Sequence, residues 1–331
     1  MTWMLEAADA GELIHIKPFL ANDVILSTVI DKSEESSMAA PHPHRILIAT
    51  DGSPAAEAAL VTATKFPWPS TAQARAVIAS ASWLIADSEI ARAAIARSFD
   101  AAAAAARKAL ARHWPDSEAV IIDATPVEAI LTEAQRFEAS VIVLGWRGHG
   151  TFQRLLAGSV SRAIAANAQC SVLVVRTAPQ AVRRVVVGYD GCANAERALD
   201  LLSSLAPKRG SRVTLVNVVD PIVMPASARA LPTSVRATIR REMTALNEER
   251  YRQGQATVAA GAKRLERSGW TAKSEVRVGA PLVNLLKAAE ESRADLLVLG
   301  ARAISGLERA LLGSVANGAL NHSTIPVLLV R

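Results

Sequence analysis

The sequence is poor in aromatic residues and nearly devoid of cysteine. Phe, Trp and Tyr make up 4% of its 331 residues, and its two cysteines are Cys170 and Cys192. Two cysteines cannot build a disulfide framework, so we expect free, buried thiols in a reducing cytoplasm. The scarcity of aromatic residues also argues against a nucleic-acid groove, which needs stacking side chains beside a basic stripe.

Long apolar runs and blocks of like charge are missing as well. No run reaches the roughly 20 apolar residues that span a bilayer, so we expect neither a membrane nor a nucleic acid as partner. The net charge is +6, and we interpret the basic residues as scattered over a solvated surface. The chain is nevertheless long enough, and apolar enough, for two domains with full cores.

Two widespread phosphate-binding motifs are absent. No Gly-x-Gly-x-x-Gly follows the first predicted strand, and no Gly-Lys-Ser/Thr of a Walker motif occurs. The sequence also has no cluster of acidic residues that would form a dedicated metal site. We therefore assign no catalytic residue and no metal-binding residue.

What the sequence does contain is a regular alternation of short apolar runs and helical segments. Residues 45–50 predict the first strand, and Asp51-Gly52-Ser53-Pro54 ends it with residues that cap a helix. The same alternation continues to the fourth strand at 141–144 and a fifth at 169–176. It predicts parallel βαβ units with helices on both faces of a sheet.

The pattern occurs twice in the chain. Residues 184–191 repeat residues 45–52, and Asp190 follows Asp51 by 139 positions, whereas Gly300 follows Gly145 by 155. The second copy therefore carries 16 extra residues, which we assign to a loop and a long charged helix between its second and third strands.

These repeats predict an α/β fold of two tandem, doubly wound, five-stranded parallel-sheet domains. We place the parts of the chain as follows: an N-terminal extension, expected to be poorly ordered, at 1–43, a first domain at 44–176, a linker at 177–182 and a second domain at 183–331.

A glycine-rich stretch follows the fourth strand of the first copy. Gly145, Gly148 and Gly158 lie between the end of that strand and the start of a helix, which Ser159 opens. Ligands of open parallel sheets bind where strand ends meet helix starts, and glycine lets backbone N–H groups approach an anion. The stretch predicts a phosphate cradle, with a simple turn and helix cap as the alternative.

The spacing of this stretch, Gly-x2-Gly-x9-Gly-Ser, resembles the ATP-binding signature of the universal stress protein family. Both copies are similar to universal stress domains, and only the N-terminal segment falls outside the resemblance. It implies the family's adenine-nucleotide alpha-hydrolase-like fold and ATP as ligand, with Mg²⁺ as a candidate bridge between the phosphates.

The resemblance also implies which residues of the first copy hold the nucleotide. They are Asp51, Gly52, Ala81, Gly145, Arg147, Gly148, His149, Gly158, Ser159 and Val160. Asp51 would bond adenine or ribose groups, and the residues from Gly158 to Val160 would cap the phosphates.

The second copy carries an equivalent set with one departure. Its residues are Asp190, Gly191, Val218, Gly300, Arg302, Gly313, Ser314 and Val315. Ala303 stands where the signature has its second glycine. If that position needs a positive φ, a Cβ there costs about 1 kcal/mol or more; if it needs only a small residue, alanine is tolerated. We therefore expect weaker nucleotide binding in the second copy.

As function, the resemblance implies a cytoplasmic, ATP-binding universal stress protein that acts as a nucleotide-dependent regulator in the stress response. A slow ATP hydrolase or nucleotidyl transferase is an alternative, although no catalytic base or arginine finger stands out. A pairing module that binds no nucleotide is a third hypothesis.

The last strand of each copy is an apolar edge that needs a cover. The resemblance implies pairing through these strands, at 172–176 and 327–331, so that the two halves form a pseudo-dimer within one chain. A homodimer of the whole chain is compatible with this arrangement and is not required by it.

Overall fold

The computed structural model describes residues 44–80, 89–146, 158–301 and 312–331. The extension expected at 1–43 lies outside these ranges. The first repeat contains β1 (Arg45–Ala49), α1 (Pro54–Lys65), β2 (Gln73–Ala79), α2 (Glu89–Leu110), β3 (Glu118–Ile122), α3 (Pro126–Arg136), β4 (Val141–Gly145), α4 (Ser159–Asn167) and β5 (Ser171–Val175).

The second repeat follows the same order with a longer insertion. It contains β6 (Arg184–Gly188), α5 (Ala193–Ser204), β7 (Arg212–Val219), a 3-10 helix (Ala226–Ala230), α6 (Thr233–Arg267), β8 (Thr271–Val278), α7 (Pro281–Glu291), β9 (Leu296–Gly300), α8 (Ser314–His322) and β10 (Val327–Val330).

The ten described strands form one continuous sheet, in the order β3-β2-β1-β4-β5-β10-β9-β6-β7-β8. Pairing within each repeat is parallel, whereas β5 and β10 pair antiparallel with Leu173 opposite Leu328. Both leucines are fully buried, which stabilises the junction by about 1.5–3 kcal/mol for each side chain. The expected pairing of the two halves through their last strands is confirmed.

Helices cover both faces of this sheet, as the alternation predicts. One core receives side chains from α1, α2, α5 and α6, among them Ala59 and Leu199, and the other from α3, α4, α7 and α8, among them Ile164 and Leu320. Each core contains residues of both repeats. The two halves therefore share their hydrophobic layers, and each half supports the packing of the other.

Local sequence explains where α1 begins. The Ser53 hydroxyl accepts the N–H of Ala56 at 3.1 Å, and Pro54 occupies the first turn. A serine cap of this kind is worth about 1 kcal/mol. In α5 the cap position is occupied by Cys192, which makes no side-chain capping bond.

Pairing sets the boundaries of two strands. β2 ends at Ala79, whose register partner Ile122 is the last residue of β3. β8 begins at Thr271, because it pairs with β7 along its full length from Arg212 to Val219.

The long charged helix expected in the insertion is α6. Its buried part begins at Gly254, and residues 233–253 have no fully buried side chain. At 1.5 Å per residue, a helix of this length extends for about 50 Å, so its first half projects beyond the sheet. Within the described ranges, no helix is both long and apolar enough to cross a bilayer.

Candidate functional site

Strand order brings the predicted site loops together in pairs. β1 lies between β2 and β4, and β6 lies between β7 and β9. The chain therefore leaves β1 in one direction and β4 in the other, so a crevice opens between the two carboxyl ends. The described structure has one such crevice in each repeat.

The loops that follow β1 and β6 contain the same turn. The Asp51 Oδ1 accepts the N–H of Ser53 at 3.0 Å, and Asp190 makes the same bond, also 3.0 Å, to the residue two positions later. Gly52 and Gly191 occupy the middle of these turns with φ of 74° and 77°. The aspartates thus shape the turn through their side chains, a role additional to the nucleotide contact expected of them.

The glycines at the ends of β4 and β9 have a packing role. A Cβ on Gly145 would lie 2.5 Å from the carbonyl oxygen of Ala55, and one on Gly300 would lie 2.8 Å from the Cβ of Asn194. Each glycine lets the helix after the repeat's first strand pack closely against the end of its fourth. Their presence is therefore explained without a ligand.

Gly158 opens α4 in the left-handed conformation, with φ of 84° and ψ of 18°. A Cβ there would lie 2.9 Å from the buried indole of Trp146. The first helical bond runs from the Arg162 N–H to the Gly158 carbonyl at 2.9 Å, so the N–H groups of Ser159 and Val160 precede the bonded part of the helix. Helix N-termini of this kind attract anions.

The side chains at the start of α4 point in different directions. Ser159 is exposed, whereas Val160 packs against the core and can offer a ligand only its backbone. The buried Ser161 donates its hydroxyl proton to the Gly145 carbonyl at 2.7 Å. This bond ties the helix that would hold the phosphates to the end of β4.

The equivalent helix start in the second repeat has a different shape. Gly313 has φ of −58° and ψ of 149°, outside the left-handed region of Gly158. Ala316 stands where the first repeat has Ser161, so the tie to the strand end is missing. Ser314 remains exposed and Val315 partly buried, like their counterparts.

The ends of the second strands also differ between the repeats. Ser80 donates its hydroxyl proton to Asp123 Oδ1 at 2.9 Å, next to Ala81, which lies outside the described residues. Val218 lies near the end of β7 and is partly buried against the core that α7 and α8 build. Its neighbour Asn217 donates to the Tyr189 carbonyl at 3.0 Å.

Tyr189, whose counterpart in the first repeat is Thr50, belongs to a polar network. Its hydroxyl donates to Glu196, and Glu196 accepts from Arg264, which also pairs with Asp200. Burial, and secondly the bond to Glu196, raises the pKa of Tyr189. The phenol therefore connects the end of β6 to α5, and Arg264 connects α6 to α5 beside the second crevice.

Several predicted site residues lie outside the described residues, namely Arg147, Gly148, His149, Arg302 and Ala303, as does Ala81. The two cysteines are free, as expected, and both are partly buried. Burial raises the pKa of Cys170 to about 11.

Comparison with known proteins assigns both repeats to one family. The model of the universal stress protein family matches residues 43–176 and again 181–331. The chain belongs to the universal stress protein family. The resemblance inferred from the glycine spacing is thereby confirmed, and so is the tandem α/β fold.

The chain is similar to other members of the family. Universal stress protein Mb2028c of Mycobacterium bovis is 28% identical over 217 residues, which cover 64% of this chain and 68% of that protein. A crystal structure of a universal stress protein from Archaeoglobus fulgidus is 18% identical, with a TM-score of 0.61 over 87% of this chain and 96% of that one. It shares the fold.

Another solved structure is described as a universal stress protein in complex with cAMP. It is 26% identical to this chain, covers 45% of it and 97% of its own length, and has a TM-score of 0.32. The ligand in that structure is a nucleotide.

Three residues that sequence reasoning missed complete the first site. Trp146 lies under Gly158, Ser161 bonds the end of β4, and the Arg176 guanidinium lies 4.1 Å above the Trp146 ring. A tryptophan directly after Gly145 was visible in the sequence. Its contact with a glycine twelve positions later depends on how the loop between them folds.

Proposed function

We propose that the first repeat binds ATP in the crevice between the ends of β1 and β4, and that occupancy of this site regulates the binding of a partner. The observation that carries the proposal is the start of α4. Left-handed Gly158 is followed by exposed Ser159, and these residues adjoin the crevice at the topological switch point.

The described residues fit a nucleotide's phosphate tail. Backbone N–H groups at the start of α4 and the Ser159 hydroxyl would hold the phosphates, with the positive end of the helix dipole favouring their charge. Asp51 and Gly52, which are exposed at the end of β1, would lie near the nucleoside. Bound ATP would supply the charged group whose presence or absence the partner senses.

We further propose that any Mg²⁺ arrives with the nucleotide. Among the described residues, no group of three or more His, Cys, Asp and Glu side chains could hold a metal ion. Phosphate oxygens would then provide most of the ion's ligands, as is usual for Mg²⁺ bound to nucleotides.

The second repeat is proposed to bind ATP more weakly. Gly313 lacks the left-handed conformation of Gly158, and Ala316 lacks the hydroxyl by which Ser161 anchors the helix. Ala303, which replaces the second glycine of the signature, also favours weaker binding in the second repeat.

The test is calorimetric titration of the whole chain with ATP. We expect one tight site, an affinity loss of at least tenfold in Gly158→Val, and a loss of less than threefold in the matched variant Gly313→Val. Circular dichroism melts establish that both variants are folded. Because Gly158→Val also presses on Trp146, Ser159→Pro, which removes one phosphate-facing N–H at a helix position that tolerates proline, provides a second variant.

Absence of ATP binding in the parent chain would refute the nucleotide proposal. Two equivalent tight sites, or equal losses in the two glycine variants, would refute the assignment to the first repeat.

A further inference from the structure

A basic cavity lies at the amino ends of β6 and β7, the end of these strands that is remote from their crevice. Its volume is about 240 Å³. The lining includes Arg183, Arg184, Arg212, Gly210 and Asp295, together with linker residues 180–181. Three of its lining residues are therefore arginines.

The backbone forces three arginines of this basic cavity together. Arg184 and Arg212 are register partners on neighbouring parallel strands, and the Arg212 N–H donates to the Arg183 carbonyl at 2.7 Å. The three arginines therefore lie next to one another at this end of the sheet.

The one carboxylate in the lining, Asp295, already has hydrogen-bond partners within the protein. Asp295 binds the Arg184 guanidinium at 2.7 Å and accepts the backbone N–H groups of Arg183 and Arg184 at 3.0 and 2.8 Å. This bond raises the pKa of Arg184. Asp295 thus neutralises Arg184 and leaves the charges of Arg183 and Arg212 uncompensated.

Further cations lie close in sequence to residues that line the cavity. Lys208 and Arg209 immediately precede Gly210, and Arg293 lies two residues before Asp295; all three are exposed. Among the described residues, no ion pair involves these cations, Arg183 or Arg212. Gly210 has φ of 83° and open space around its missing Cβ, so its backbone is accessible to a ligand.

The first repeat provides an internal comparison. At the equivalent positions it has His44 for Arg183, Gln73 for Arg212 and Glu138 for Arg293. Its Pro69 and Ser70 replace Lys208 and Arg209. The fold of a repeat therefore does not need these cations, and their accumulation in the second repeat calls for another explanation.

We propose that this basic cavity binds a compact polyvalent anion of the pyrophosphate class. Arginine donates pairs of parallel N–H bonds to phosphate oxygens, and Arg183 and Arg212 are the two guanidinium groups available for them. Its volume equals that of about eight water molecules at roughly 30 Å³ each, which is enough for two linked phosphates. The site is separate from the proposed ATP site.

The experiment is calorimetric titration of the full chain with inorganic pyrophosphate at low ionic strength. In Arg183→Gln/Arg212→Gln we expect the affinity for pyrophosphate to fall at least tenfold. The charge-matched control is Arg240→Gln/Arg241→Gln, which removes two exposed arginines of α6 and is expected to change the affinity less than twofold. Unchanged affinity in the first variant, or an equal loss in the control, would overturn the proposal.

Two more measurements separate this site from the ATP site. Pyrophosphate should bind Gly158→Val as tightly as it binds the parent, and loss of binding there would assign the anion to the cradle instead. Pyrophosphate should also raise the melting temperature of the parent but not of Arg183→Gln/Arg212→Gln, because a ligand stabilises only the state that it binds. An equal rise in the melting temperatures of the parent and the double variant would contradict binding at Arg183 and Arg212.

Discussion

At the scale of single residues, the glycines of the candidate site divide into two kinds. Gly52 and Gly158 have positive φ, which a side chain disfavours. Gly145 and Gly300 are needed because another element's backbone or Cβ lies where their own Cβ would be. In the sequence Gly145 and Gly158 belong to one signature, and only the structure shows that their requirements differ.

Gly145→Ala should destabilise the protein strongly. The new methyl group would meet the carbonyl of Ala55, which is backbone and cannot rotate away, so we expect a loss of about 3 kcal/mol, the upper end for overpacking. Urea denaturation measures it. Gly210→Ala is the control, because Gly210 has a positive φ but open space around it, and its cost should be about 1 kcal/mol. Equal losses would contradict the packing explanation.

Cys170 should be unreactive in the folded chain. Burial raises its pKa from 9.0 to about 11, and only the thiolate reacts. In a Cys192→Ser background, alkylation by iodoacetamide at pH 8.5 should be roughly a hundredfold slower in the native than in the urea-unfolded chain.

The same shift in the pKa of Cys170 affects stability. Between pH 9 and pH 11 the unfolded thiol loses its proton while the folded thiol keeps it, so the free energy of unfolding should decrease as pH rises through this window. In Cys170→Ala this component of the decrease should disappear. A native alkylation rate equal to the unfolded rate would show that the thiol is not shielded.

At the scale of elements, the insertion of the second repeat is held by side-chain-to-backbone bonds. Asn247 of α6 accepts the Ile222 N–H at 2.9 Å and donates to the Ile222 carbonyl at 3.0 Å, and Arg250 donates to the Asp220 carbonyl at 2.8 Å. An asparagine amide thus replaces a strand partner for the segment after β7. The projecting half of α6 is thereby connected to the rest of the repeat.

Asn247→Ala should release this segment without unfolding the protein. Loss of both bonds, each worth about 1 kcal/mol, should speed hydrogen exchange at the Ile222 amide by about tenfold. The melting temperature should barely change, because the site is exposed. Gln253→Ala removes an amide that bonds only Glu249 of the same helix, and exchange at Ile222 should be unaffected in that variant. Unaltered exchange at Ile222 in Asn247→Ala would show that the Asn247 side chain does not hold this segment.

At the scale of the whole molecule, an arginine of each repeat binds the end of a helix in the other repeat. Arg176, which follows β5, donates to the carbonyls of Leu320 and Asn321 at the end of α8. Arg331, which follows β10, donates to the carbonyls of Ala165 and Ala166 at the end of α4. The exchange is reciprocal, and each cation lies at the negative end of the other repeat's helix.

Arg176→Gln should cost more stability than Arg331→Gln. Both lose charged hydrogen bonds to a helix end, but Arg176 also lies over Trp146, and the residue equivalent to Trp146 in the second repeat is Ala301. We expect about 2 kcal/mol for Arg331→Gln and about 1 kcal/mol more for Arg176→Gln, measured by urea denaturation. Combining Arg176→Gln with Trp146→Phe should reduce that difference. An equal or larger loss in Arg331→Gln would contradict the stacking contribution.

Sequence periodicity alone determined the duplicated βαβ pattern, the long helix of the insertion and the location of the crevice loops. These features depend on local preferences, since alternating apolar residues and capping residues act over a few positions of the chain.

Tertiary structure decided the rest. It alone revealed that the repeats share both cores, that Gly145 is required by Ala55, that Trp146 supports Gly158, and that arginines far apart in sequence form one basic cavity. Such contacts join residues from separate elements, and no local pattern specifies which atoms will meet when a twisted sheet closes against its helices.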